Sequence, residues 1–154
     1  MMDYYSIISN SYDGLYGEEQ LKKIKLILGS NSIKAEDKIL DVGCGTAVYS
    51  NLFKNYTGID NARKMLKHPS CVLGNAEHLP FPDNSFDVVM SITAIHNFKN
   101  IEKALKEMKR VAKNKVIISV LKRSPKFSYI KSLIQKYFKV ILLEEEKDII
   151  FISK

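Results

Sequence analysis

The sequence has no tryptophan, only two cysteines and only four prolines in 154 residues. Cys44 and Cys71 are too few for a disulfide scaffold and lack the paired spacing of a zinc site, so no metal is expected and a reducing, cytoplasmic setting is the default. With so few prolines and no Gly/Ser-rich tract, nothing reads as a linker. The chain is expected to form one domain over 1–154, with residues 1–17 as an N-terminal extension or lid. No apolar run approaches the ~20 residues of a membrane helix. The opening Met1-Met2-Asp3-Tyr4-Tyr5 has neither a basic nor an apolar leader segment, so no signal peptide is expected. What is present, 45% hydrophobic and 27% charged residues, excludes a disordered chain and supports an ordinary globular core.

The net charge of +7 is unevenly placed. From Lys99 to Lys139 there are thirteen Lys/Arg against only Glu102 and Glu107, while the rest of the chain is net acidic. Such a stretch suits an anionic partner such as nucleic acid. The simpler reading is that the lysines are the wet faces of two surface helices.

Residues 18–28 read as a helix, with Leu21, Ile24, Ile27 and Leu28 at helical spacing and Gly29 at the C-cap; residues 3–17, with four tyrosines and no clear period, read as loop or irregular helix. Apolar strands then alternate with helices. Strands are expected at 38–42, 56–59, 71–73, 86–92 and 116–121, and helices at 47–54, 62–67, 101–112 (Asn100 as N-cap) and 127–138. Residues 74–85, rich in turn formers, read as loop. The end reads as a hairpin of 140–143 and 149–152. This order predicts an α/β fold, a single doubly wound, mostly parallel seven-stranded sheet with an antiparallel C-terminal hairpin strand. In such sheets ligands bind beyond the carboxyl ends of the strands, near the point where strand order reverses.

One strand runs into a glycine-rich turn, Ile39-Leu40-Asp41-Val42-Gly43-Cys44-Gly45-Thr46-Ala47. Glycines there let a ligand lie against the backbone, although a tight strand-to-helix turn alone would also use them. Val48 occupies the position where a dinucleotide fingerprint needs Gly or Ala, which counts against NAD and FAD, and no Gly-Lys-Ser/Thr phosphate loop follows. Asp60 ends the second strand, where a carboxylate can accept both ribose hydroxyls of an adenosine or cap the next helix.

Taken together, Asp41-Val-Gly-Cys-Gly-Thr, Gly58-Ile-Asp60 with Met65-Leu66 after it, Gly74-Asn-Ala-Glu-His-Leu-Pro-Phe81 and Asp83-Asn-Ser-Phe-Asp-Val-Val89 resemble four linked motifs of the class I S-adenosylmethionine-dependent methyltransferases. Their order and spacing are similar to the subgroup that includes the ubiquinone and menaquinone biosynthesis methyltransferases, and the resemblance runs from about Tyr12 to Val120. It implies a Rossmann-like sheet of order 3-2-1-4-5-7-6 and S-adenosylmethionine as cofactor. Asp41, Gly43 and Gly45, with Cys44 between the glycines, would shape the pocket for the methionine part. Asp60 would hold the ribose with Asn61 nearby. Asn75 and Ala76, followed by Glu77, would meet the adenine, and Ser91 and Ile92 would close the floor. Tyr12 would lie over the cofactor. Ala47 stands in place of the usual third glycine and Asn75 in place of the usual Asp, whose acceptor role its amide oxygen can fill.

Methyl transfer asks mainly for alignment of the acceptor. A weakly acidic acceptor also needs a base, and His96, just past the fourth core strand, is the candidate; a hydrogen-bonded loop histidine is the competing reading. No Asn/Asp-Pro-Pro-aromatic box follows that strand and no cysteine lies in the acceptor region, which argues against adenine or glutamine amino-group and cytosine C5 methylation by those routes. The acceptor is expected to be a small molecule. The alternatives are RNA or protein docked through the basic face, or a non-catalytic cofactor-binding subunit completed by a partner. With no inserted lid beyond residues 1–17, the bare site suits a large substrate, a partner subunit or oligomer, or a small molecule covered by the N-terminal segment.

Overall fold

The computed structural model describes the backbone of residues 4–154 and the side chains of residues 17–154. Seven strands form one sheet: β1 (Lys38–Val42), β2 (Asn55–Asp60), β3 (Cys71–Leu73), β4 (Phe86–Ile92), β5 (Ala112–Leu121), β6 (Val140–Glu144) and β7 (Asp148–Ser153). Their order is β3-β2-β1-β4-β5-β7-β6, as the resemblance implied. The first five run parallel, and β7 pairs antiparallel with both β5 and β6. Strand order reverses between β1 and β4, so the carboxyl ends of these two strands frame the crevice where ligands of such sheets bind.

Helices α2 (Ile101–Val111) and α3 (Phe127–Tyr137) pack side by side. On α2, Ile101, Ala104, Leu105, Met108 and Val111 are buried at helical spacing and join Leu40, Val89, Ile118 and α3 residues Ile130 and Ile134 in one apolar layer. Asn100 caps α2 as expected, its side chain accepting from the Lys103 backbone N–H at 3.1 Å. The opposite sheet face packs on α1 (Tyr4–Gly29), whose Ile24 and Ile27 are fully buried against Ile39, Met90 and Ile117. The right-handed crossovers from β4 to β5 and from β5 to β6 put α2 and α3 on one face, and α1, which precedes β1, covers the other.

The structure departs from the sequence reading in places with identifiable causes. Residues expected to be loop or irregular helix are the first half of α1. Gly14, Asp13 and Asn10 are poor helix formers, but once residues 18–28 form the helix, each added residue gains a hydrogen bond without a new nucleation cost. The helix does not cap at Gly29; the left-handed residue that stops it is Asn31, φ 60°. The helix expected at 47–54 is only a short 3-10 turn, Ser50–Leu52. Ala47 is left-handed, φ 55°, and the Tyr49 hydroxyl reaches back to the Asp41 carboxylate at 2.8 Å, so the chain cannot wind there. The expected 62–67 helix likewise reduces to a 3-10 turn, Arg63–Met65. Asp60 bonds the Ala62 N–H at its start, and Leu66 at its end is already extended.

Candidate cofactor site

A cavity of about 430 Å³, within the roughly 300–1,000 Å³ usual for ligand pockets, opens at the carboxyl ends of β1, β2 and β4. The glycine turn forms one wall. Gly43 and Gly45 are both left-handed, φ 80° and 57°, and a Cβ on Gly43 would stand 2.7 Å from Ala94 Cβ and 3.3 Å from the Phe98 ring. Here glycine is required by conformation and by space at once. The Gly43 and Cys44 N–H groups both donate to the Ile59 carbonyl, 2.8 and 3.1 Å, which pulls the turn against the end of β2.

Asp60 stands at the centre of this arrangement. Its Oδ2 accepts from the Gly45 N–H and its Oδ1 from the Ala62 N–H, both at 2.8 Å, while its backbone carbonyl accepts from the Gly74 N–H at 3.0 Å. One residue thus fastens the glycine turn, the Arg63–Met65 turn and the exit of β3. Asn61 and Met65 line the cavity beyond it, Ala76 and Glu77 line it after β3, and Ile92, Thr93 and Ala94 line it after β4. Glu77 Oε1 also accepts from the Asn100 N–H at 3.0 Å, so this wall is tied to the start of α2.

Of the residues singled out from sequence, Gly43, Gly45, Asp60, Asn61, Ala76, Glu77 and Ile92 line the cavity together. Asp41, Cys44, Asn75, Ser91 and His96 stand outside its lining, and the side chain of Tyr12 lies outside the described residues. Asp41 is fully buried behind the turn, where its Oδ2 accepts from Tyr49 at 2.8 Å and Tyr56 at 2.6 Å. Burial pushes its carboxyl up to about 6, against the lowering effect of the two tyrosine hydrogen bonds. Cys44 faces Cys71 across Gly58: a Cβ on Gly58 would lie 2.7 Å from both sulfurs. The hydrogen bond between the two thiols, followed by burial, drives the Cys44 thiol strongly upward, so it stays protonated. Asn75 is exposed, and Ser91 is fully buried.

His96 lies in a short 3-10 turn, Ile95–Asn97, whose neighbours Asn97 and Phe98 reach the cavity. Its Nδ1 is buried without a partner, and burial holds the ring below its ordinary pKa, helped by Lys126 and Lys23 and opposed by Asp148.

A buried polar cluster beside the cavity was not anticipated. Lys23 on α1 is 2% exposed and pairs at 3.2 Å with Asp148 of β7, which is fully buried. Thr93 joins them: its hydroxyl accepts from Lys23 Nζ at 2.7 Å and donates to Asp148 at 2.6 Å. Its backbone N–H donates to Ser119 Oγ at 2.8 Å. The sequence did carry a trace of this, because Gln20 and Lys23 share the buried helical stripe with Ile24 and Ile27.

The fold is that of a doubly wound α/β domain with a crevice where the strand order reverses. Residues 40–120 match the family model described as a methyltransferase domain, and the chain belongs to that family. An uncharacterised protein of Methanocaldococcus jannaschii is 34% identical over 118 residues, covering 73% of this chain and 47% of that one. A demethylmenaquinone methyltransferase of Staphylococcus haemolyticus is 32% identical over 157 residues, covering 88% of this chain and 66% of that protein. A solved SAM-dependent methyltransferase of Aquifex aeolicus shares the fold with a TM-score of 0.70 at 18% identity, over 84% of this chain and 87% of that one. The chain spans about half the length of the curated relatives it matches.

Proposed function

We propose that this chain binds S-adenosylmethionine in the crevice and transfers its methyl group to a small-molecule acceptor. The observation that carries the reading is the convergence of a left-handed glycine turn and the β2-terminal carboxylate on one cavity of about 430 Å³, a volume in the ordinary range for cofactor pockets. The residues fit the cofactor. Gly43 and Gly45 present bare backbone to the methionine part, with Asp41 and Cys44 supporting the turn from behind. Asp60, oriented by two backbone N–H groups, has the acceptor capacity of a carboxylate to offer ribose hydroxyls. Asn61, Ala76 and Glu77 surround the adenine, with Asn75 next to them in the chain, and Ser91 backs the floor.

The bound sulfonium supplies an already activated methyl group. The chain's part is to align the acceptor against it and exclude water, and the wall of Thr93, Ala94 and Phe98 faces the glycine turn where this happens. His96, in the turn whose neighbours Asn97 and Phe98 reach the cavity, is the candidate to take the acceptor's proton, and burial lowers its pKa in the direction that favours the neutral base. Two thiols left unlinked, Cys44 and Cys71, fit a reducing cytoplasm, and no helix among the described residues is long and apolar enough to cross a membrane.

The small-molecule acceptor is favoured over RNA because several cations of the basic face already hold contacts within the fold. Lys103 meets His78 at 3.1 Å, Lys109 bonds the Tyr137 carbonyl at 3.1 Å, and Lys136 pairs with Glu102 at 3.0 Å. Titration calorimetry with S-adenosylmethionine and with NAD tests the cofactor; binding of NAD alone would overturn the assignment. In the same assay Asp60→Ala should weaken S-adenosylmethionine by about 1.5–3 kcal/mol, the worth of hydrogen bonds to a charged group, and unchanged affinity would refute the ribose placement. Labelled-methyl transfer into the small-molecule or the macromolecular fraction of a cell extract decides the acceptor class.

A further inference from the structure

We propose that Lys23, Asp148 and Thr93 form a positioning unit that sets the methionine half of the cofactor cavity. The proposal rests on the cofactor reading above and adds Lys23 and Asp148, which act on the cavity through Thr93. Three observations carry it. First, an ion pair 2% and 0% exposed is an expensive feature, since both ions give up water, and a hydrophobic pair of similar shape would often stabilise a fold as well. Second, Thr93 is β-branched and left-handed, φ 50°, a conformation such residues avoid and one that persists only when the surroundings over-determine it. Here they do. The hydroxyl is held from α1 and β7 at once, and the backbone N–H is held by Ser119 on β5.

Third, the strained residue opens directly onto the cavity. Thr93 and Ala94 line it, and Ala94 Cβ is the atom that a side chain on Gly43 would strike. The fit between the glycine turn and the end of β4 therefore depends on the backbone turn at Thr93, and that turn is fixed by the buried pair. Because Lys23 belongs to α1, which also packs against the Arg63–Met65 turn, the same helix reaches both ends of the cavity wall. The unit acts through the Thr93–Ala94 wall that meets Gly43, whereas Ala76 and Glu77 line the cavity after β3.

This asymmetry gives a test that a merely structural role would not pass. Calorimetry is run with S-adenosylmethionine and with adenosine, which lacks the methionine part. The variants are Thr93→Val, Thr93→Ser and the double Lys23→Met/Asp148→Asn, which leaves no unpaired buried charge and so protects the fold. Thr93→Val and the double variant should each lose about tenfold or more in S-adenosylmethionine affinity while adenosine stays within about twofold. Thr93→Ser, which keeps the hydroxyl, should bind both ligands as the wild type does. Variants that keep wild-type affinity for both ligands, or that lose both equally as thermal midpoints fall, overturn the unit and leave a scaffold pair. A wild type that binds neither ligand removes the cofactor reading and this inference with it.

Discussion

Asp41→Asn isolates the cost of a buried charge behind the glycine turn. Asp41 is fully buried, and burial lifts its carboxyl from the ordinary 3.8 to about 6, the nearby Asp60 charge adding to the rise. A carboxyl raised in this way is held protonated by the fold and ionises more readily in the unfolded chain. Its contribution therefore favours folding below the unfolded value and is lost as the pH climbs through about 4 to 6. Above that window the fold carries an ionised carboxylate at a constant penalty. A shift of roughly two units corresponds to about 3 kcal/mol. Asparagine cannot ionise, and its amide oxygen can still accept from Tyr49 and Tyr56. Its NH2 would take the place of Oδ1, which is buried without a hydrogen-bond partner, at a pH-independent cost of about 1–3 kcal/mol. Relative to wild type, the variant should thus gain about 3 kcal/mol between about pH 3.5 and pH 8, whatever its absolute stability. Urea denaturation across that range measures it, with unchanged m-values as the control. Glu102 and Glu107, lowered by their hydrogen-bond partners, tilt both chains alike and cancel in the comparison. Parallel stability curves, or a variant that loses ground as pH rises, would refute the reasoning.

Gly58→Ala would set a methyl group 2.7 Å from both Cys44 and Cys71 sulfurs and should cost about 1–3 kcal/mol by overpacking; an unchanged thermal midpoint would show that the thiols move aside freely. Arg110→Ala removes hydrogen bonds to the Leu79 and Phe81 carbonyls and ion pairs to Glu107 and Asp83. The side chain is 32% exposed, so a loss of about 2 kcal/mol is expected, with faster amide exchange confined to residues 74–85; slow exchange there would show that the loop holds itself. A Lys103/Lys106/Lys131 triple glutamate variant should transfer labelled methyl to the small-molecule fraction as the wild type does. Loss of salt-steep RNA binding by the variant, in fluorescence anisotropy, would restore the docking surface instead.

Strand positions were legible because each core strand is an apolar run between turn formers, and the β6–β7 hairpin because its two runs flank Glu144 to Asp148. The start of β5 was missed by four residues, since Lys113 to Lys115 is polar and Ala112, expected to end α2, instead pairs with Phe86; a register shift between Phe86 and Val88 accommodates the segment. The short turns after β1 and β2 were overcalled as helices for a different reason. Tyr49 looks like a helical residue until its hydroxyl is seen to serve Asp41, eight residues back and inside the core. Ala47 looks like a good helix former until the turn requires it to be left-handed. In both places tertiary demand overrides local propensity.

The legible part of the site is the part made by backbone. Gly43, Gly45 and Asp60 shape turns whose residue types are dictated within a few positions, so a single stretch of sequence exposes them. The Lys23 cluster obeys no such economy. It joins α1, the end of β4 and β7, with Lys23 and Thr93 seventy residues apart in the chain, and each member alone has an ordinary explanation: a helix lysine, a strand-end threonine, a hairpin aspartate. Only the sheet order, which sets β7 beside β5 and β5 beside β4, brings Asp148 to the same end of the sheet as Thr93. The basic stretch teaches the converse. Thirteen cations in one run look like a surface built for a partner, yet Lys109 and Lys136 bind α3 and α2 to each other, and Lys126 holds the His96 carbonyl at 3.1 Å. Part of that run joins two helices and steadies the Ile95–Asn97 turn, so a cluster of cations does not by itself mark a site, whereas the glycine turn and Asp60 converge on one cavity.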